Sequence, residues 1–111
     1  MKVRQFDSGK RYTYADYLTW DNDTRWELIG GVPHMMAGAG RSHQRVSMNF
    51  SVLLGSFLKS KTCEVYTAPF DVRLNFDTKD DTVVQPDIMV VCDMSKLDER
   101  ASKALPTLLL R

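Results

Sequence analysis

Apolar residues recur at Val46, Phe50, Leu53, Leu54, Phe57 and Leu58, the i, i+4, i+7, i+8, i+11 and i+12 spacing of an amphipathic helix. The pattern predicts a helix over residues 43 to 59, about 25 Å long at the usual helical rise. Gly38-Ala39-Gly40-Arg41 breaks the chain ahead of it, and Ser42 can cap it. The apolar stripe is expected to pack on a sheet, leaving Arg45, Asn49 and Lys59 toward solvent.

Shorter patterns surround this helix. Thr13-Tyr14-Ala15-Asp16 places a hydroxyl three residues before an acid, a capping-box pattern, and predicts a short helix from Tyr14 to Trp20. Asp21-Asn22-Asp23-Thr24 ends it. Trp26 to Ile29 then reads as a strand, Gly30-Gly31 as a two-residue hairpin turn, and Val32 to Ala37 as the returning strand. From Cys63 to Leu74 the alternation changes parity. Cys63 and Val65 share one face, whereas Phe70, Val72 and Leu74 share the other, so a bulge or bend is expected near Pro69. Asp71 and Arg73 then lie together opposite Phe70, Val72 and Leu74. Asn75 to Thr82 is a polar loop, and the run Val83 to Cys92 reads as a buried strand forming a hairpin with the one before it. Asp93 to Lys103 has helical spacing around Met94, Leu97 and Ala101 and reads as a short connector. Leu105 to Leu110 opens a last apolar strand, expected to be left exposed.

Asp87 gives the Val83–Cys92 run its chemistry. An ionised carboxylate unpaired among apolar neighbours costs several kcal/mol or takes up a proton, so it needs a cation, several N–H donors or a wet cleft. A solvated strand-edge turn at Pro86-Asp87 accounts for the same residues without any function.

Composition narrows the picture only modestly. With 111 residues, 43% hydrophobic and 26% charged, the chain is expected to form one domain over residues 1–111. Fifteen basic against 14 acidic residues leave a formal charge of +1, which neither supports nor excludes a nucleic-acid partner. Cys63 and Cys92 lie in or beside apolar runs and form no CxxC pair, and they are expected to be free buried thiols rather than a disulfide or a zinc site. No signal-like start and no apolar run near the length of a membrane span is present, so a cytoplasmic location is expected.

The order of landmarks resembles a known family. Tyr12-Thr13-Tyr14-Ala15-Asp16-Tyr17-Leu18, Trp26-Glu27-Leu28-Ile29-Gly30-Gly31, His43-Gln44-Arg45-Val46-Ser47, the run Cys63 to Leu74, and Thr82 to Asp93 with Ser95-Lys96-Leu97-Asp98-Glu99-Arg100 are together similar to the Uma-type restriction endonucleases, a branch of the PD-(D/E)XK nucleases. The resemblance covers roughly residues 12 to 106. It implies an α/β (α+β) restriction-endonuclease-like fold with a mixed sheet flanked by helices, a DNA substrate, and Mg²⁺ held by carboxylates for phosphodiester hydrolysis. Asp87 matches the family's Pro-Asp metal ligand. Glu27, His43 and Asp71 also fall at matching positions. Glu27 and His43 join Asp87 as expected catalytic residues, although a surface salt bridge for Glu27, a helix-start role for His43 and a cross-strand pair of Asp71 with Arg73 or a Lys explain them equally simply.

The chain departs from the family at Thr107-Leu108-Leu109-Leu110-Arg111, where relatives read Asp-Leu-Val-Val-Glu-Ile-Leu-Ser. Arg111 then stands in the place of the second carboxylate, and the family's Lys has no counterpart. The sequence therefore suggests a C-terminally truncated member, inactive alone and binding Mg²⁺ weakly if at all. The alternative is a non-catalytic interaction domain that forms a homodimer through Leu105 to Leu110.

Overall fold

The computed structural model describes residues 6–20, 24–38, 40–104 and 106–110. Among the described residues, two helices and eight short strands make an α+β fold with one sheet of five strands and one of three, mixed in direction. The single flanked sheet expected from the sequence is thus divided in two.

The first helix, α1 (Tyr14–Tyr17), is a single turn, shorter than the Tyr14 to Trp20 expected. Its capping box is present: the Asp16 carboxylate accepts the Thr13 N–H at 2.9 Å. Asp21, Asn22 and Asp23 lie outside the described residues. β1 (Trp26–Ile29) and β2 (Val32–Met35) form the expected hairpin. Gly30 and Gly31 both have positive φ, +55° and +80°, which the two-residue turn requires and a residue with a Cβ resists.

The long apolar-periodic segment is α2 (Arg41–Phe57), but its packing departs from expectation. No residue of α2 is fully buried. The helix rests on β3 (Glu64–Thr67) through its Ser47, Ser51 and Leu54 side, whereas Leu53 and Phe57 on the apolar stripe are 68% and 71% exposed. On the 3.6-residue period the stripe is centred roughly a quarter-turn away from the side that meets the sheet.

The run Val83 to Cys92 is not one strand. It divides into β5 (Val83–Val84) and β6 (Ile88–Val91), which belong to different sheets. The facing arm divides in the same way, into β3 and β4 (Asp71–Arg73), on either side of the bend expected at Pro69. β4 pairs with β5, and β3 with β6, both antiparallel, so a long hairpin is broken on both arms at the same level. Pro86 lacks the N–H that would carry the ladder across the break. The Gln85 N–H is diverted to the Glu27 carboxylate at 2.8 Å, and of the backbone bonds among the described residues only Ala68 N–H to Asp87 C=O, at 3.1 Å, spans the gap.

A second departure lies at residues 101–103. Expected as part of a helical connector, Ala101–Lys103 is strand β7, parallel to β4, after a single 3₁₀ turn at Met94–Lys96. Ala101 and Ser102 are fully buried there. β8 (Leu108–Leu110) pairs antiparallel with β6 at the edge of the three-stranded sheet. Leu105 and Arg111 lie outside the described residues.

Cys63 and Cys92 flank the paired ends of β3 and β6 and form a disulfide. The free thiols expected from their spacing are therefore corrected. The sequence separates the two by 29 positions, and only the antiparallel register Glu64–Val91 brings them opposite each other. No described helix is long and apolar enough to cross a membrane.

Candidate active site

The break in the hairpin is where the chemistry collects. Each arm contributes one aspartate, and the two have opposite surroundings. Asp71, the first residue of β4, is 7% exposed. It accepts hydrogen bonds from the Tyr17 hydroxyl at 2.8 Å, the Tyr14 hydroxyl at 3.2 Å and Gln85 Nε2 at 2.9 Å. Burial, followed by the Asp71 charge and its hydrogen bonds, pushes both phenols well above the ordinary tyrosine range. They act as donors throughout the neutral range. The cross-strand partner expected for Asp71 is absent, because Arg73 turns to Asp80, with two contacts at 3.1 and 2.6 Å, and lies over the Tyr14 ring.

Asp87 sits at the exit of the break, just before β6, with its side chain 30% exposed. Its described ion-pair partner is His43 Nε2 at 3.1 Å, from the first turn of α2. A cavity of about 270 Å³ opens beside the pair, walled by Arg25, Gln44, Ser47, Met48, Ser51, Thr67 and Ala68. Asp87 is therefore a partly hydrated carboxylate at the mouth of a polar cleft, with neither the buried-strand setting nor the isolated turn of the sequence reading.

Glu27 lies in the centre of β1, 4% exposed, and its carboxylate accepts the Gln85 N–H. This is no surface salt bridge. The bond ties β1 to the residue two positions before Asp87, so Glu27 shapes the break from its buried side. Sequence reasoning thus named three residues that adjoin the same break, Glu27, His43 and Asp87, while Asp71 belongs to the buried tyrosine network.

Two participants were missed. Gln85 joins the two halves: its side chain donates to Tyr17 and Asp71 and accepts from Arg25 Nε at 2.9 Å. Arg25 lines both the Asp87 cleft and a second cavity behind it, bounded by Tyr17, Trp20, Asp71 and Gln85. The polar Gln85 amid Val83, Val84 and Pro86 was a signal that something had to satisfy it; Arg25 offered none beyond its place ahead of a strand.

A family model described as Uma2, putative restriction endonuclease, matches residues 14–110. The chain belongs to this family. Uma2 membership carries nuclease activity and a DNA substrate at the level of the family, is consistent with the PD-(D/E)XK superfamily, and brings a general dependence on divalent metal. No curated protein matches the chain.

The donor set can be tested against that metal. Among the described residues no group of three or more His, Cys, Asp or Glu side chains converges on one point. Mg²⁺ demands a near-octahedral oxygen shell and gives up water reluctantly. Asp87 offers two oxygens and shares one with His43, while the Glu27 carboxylate is taken up by a backbone N–H. These residues do not make a complete divalent-metal site for a Uma2 nuclease.

Proposed function

We propose that this Uma2 chain carries the Pro-Asp half of a metal-dependent DNA endonuclease site, with Asp87 as its metal-ligand position. Its reaction class is phosphodiester hydrolysis, and its metal is Mg²⁺. The observation that supports this reading is the placement of Asp87 at an open polar cleft rather than in the satisfied interior given to Asp71. In this reading His43 holds the Asp87 carboxylate in line and faces the phosphate, and Glu27 fixes the break through Gln85. Residues 1–111 act as one domain.

With a single carboxylate open to the cleft among the described residues, the isolated chain is expected not to cleave DNA. Incubation with supercoiled plasmid and Mg²⁺ or Mn²⁺ is expected to leave the plasmid intact. Metal-dependent nicking that vanishes in Asp87→Ala would overturn the inactivity and reveal a ligand set beyond Asp87.

A second reading, a non-catalytic domain that forms a homodimer, is favoured by one feature. β8 lies at a sheet edge with Leu108 45% exposed, leaving backbone groups on its outer side available for pairing. Sedimentation of the chain against a version ending at Pro106 tests it. Loss of association in the shortened chain supports pairing through this strand, and equal behaviour of the two rules it out.

A further inference from the structure

Arg25 stands immediately before β1, its main chain anchored by the Met36 N–H to Arg25 C=O bond at 2.9 Å. Its Nε donates to Gln85 Oε1, which fixes the plane of the guanidinium. Nη2, at the other end of the fork, is buried and has no hydrogen-bond partner. Buried guanidinium nitrogens are rarely left this way, since the group cannot shed its proton and each unpaired N–H loses its water for nothing in return.

The neighbouring carboxylates do not fill the vacancy. Asp71 is engaged by two phenols and Gln85, Glu27 by the Gln85 N–H, and Asp87 by His43. Among the described residues no acceptor pairs with Nη2, and an acceptor from outside the chain would satisfy it. Because Arg25 lines the same cleft as Asp87 and His43, we infer that Arg25 is a substrate-binding residue whose guanidinium, covered at Nη2 in the unliganded chain, turns outward to receive a non-bridging oxygen of a DNA phosphodiester laid in that cleft. The inference rests on the DNA substrate of the proposed function, and it needs no metal.

The test is fluorescence anisotropy of a labelled short DNA duplex in EDTA, over a range of salt concentrations. Arg25→Gln is expected to weaken binding about tenfold, or about 1.4 kcal/mol. It should also reduce the slope of log affinity against log salt by about one, as expected for the loss of a phosphate contact. Arg25→Lys, which keeps the charge and loses the fork, is expected to fall between the two. Arg100→Gln, an exposed cation on the second cavity, is the control and should change affinity by less than about twofold.

Equal binding by wild type and Arg25→Gln overturns the inference while leaving DNA as substrate. No binding by wild type at low salt overturns both. Displacement of the duplex by equimolar inorganic phosphate assigns the site to free phosphate and overturns the backbone assignment. Should Arg25→Gln fail to fold, the Nε–Hε resonance of Arg25 in the wild-type chain decides: it should shift when duplex is added, and an unmoved resonance overturns the inference. A chain that binds DNA through Arg25 and never cleaves it retains this inference and counts only against catalysis.

Discussion

Asp71 and Asp87 lie on opposite arms of one broken hairpin, yet the chain treats them differently. Around Asp71 the sequence supplies three donors from two places, Tyr14 and Tyr17 of α1 and Gln85 of the opposite arm. The carboxylate is buried, fully engaged and enclosed beside an aromatic cluster that includes Trp20 and Trp26. Around Asp87 the chain supplies one imidazole and an opening. A buried charge with several donors holds a fold in one arrangement, because removing it strands every donor at once. A half-exposed charge with one partner contributes little to stability and is free to exchange that partner. The difference teaches that a carboxylate in an apolar-looking run is judged by its donors rather than by the run.

The largest expected effect breaks the comparison on the buried side. Asp71→Ala leaves two hydroxyls and one N–H of the Gln85 amide without their acceptor, and should lower stability by about 3–5 kcal/mol. Urea unfolding of the variant beside wild type measures it, and a loss under about 1 kcal/mol would mean the network carries no weight.

Alkaline titration sharpens the same side. Tyr14 and Tyr17 are held protonated, by burial first and by Asp71 next, so their folded pKa values lie above the unfolded value of about 10. Below about pH 10 both states keep these protons and the stabilisation is fully present; above it the unfolded chain releases them first, so stability falls as pH rises. Phenolate absorbance should show these two tyrosines ionising together with unfolding. Their ionisation in the native chain near pH 10 would contradict the burial argument.

The smallest expected effect lies on the open side. His43→Ala should change stability by less than about 1 kcal/mol, since the His43–Asp87 pair is 49% and 30% exposed. A loss comparable to that of Asp71→Ala would show that the cleft, too, is a structural clamp.

Much of this arrangement was legible in the sequence because it is written locally. The Thr13–Asp16 cap, the Gly30-Gly31 turn, the periodic helix and the parity change beside Pro69 each depend on a few neighbouring residues, and each was found. What escaped is set by register between distant segments. β7 is three residues whose pairing with β4 confers strand character that Ala101-Ser102-Lys103 lacks by itself. The disulfide and the tyrosine network likewise join residues 29 and up to 68 positions apart. The helix period correctly found α2 but could not say how far its stripe would be covered. At the site, Asp87 stood out by its apolar run and took its metal-ligand role from the family resemblance, which also supplied Glu27 and His43, whereas the roles of Gln85 and Arg25 emerge only when the arms are brought together.

The central claim, that Asp87 is the open, ligand-facing carboxylate and Asp71 the structural one, is tested most directly by paramagnetic broadening of backbone amide resonances with Mn²⁺. The predicted map is weak, needs millimolar metal, and centres on Ala68, Asp87 and Ile88 while sparing Asp71 and its tyrosines. Broadening centred on Asp71, or none at Asp87 up to millimolar Mn²⁺, would contradict the account.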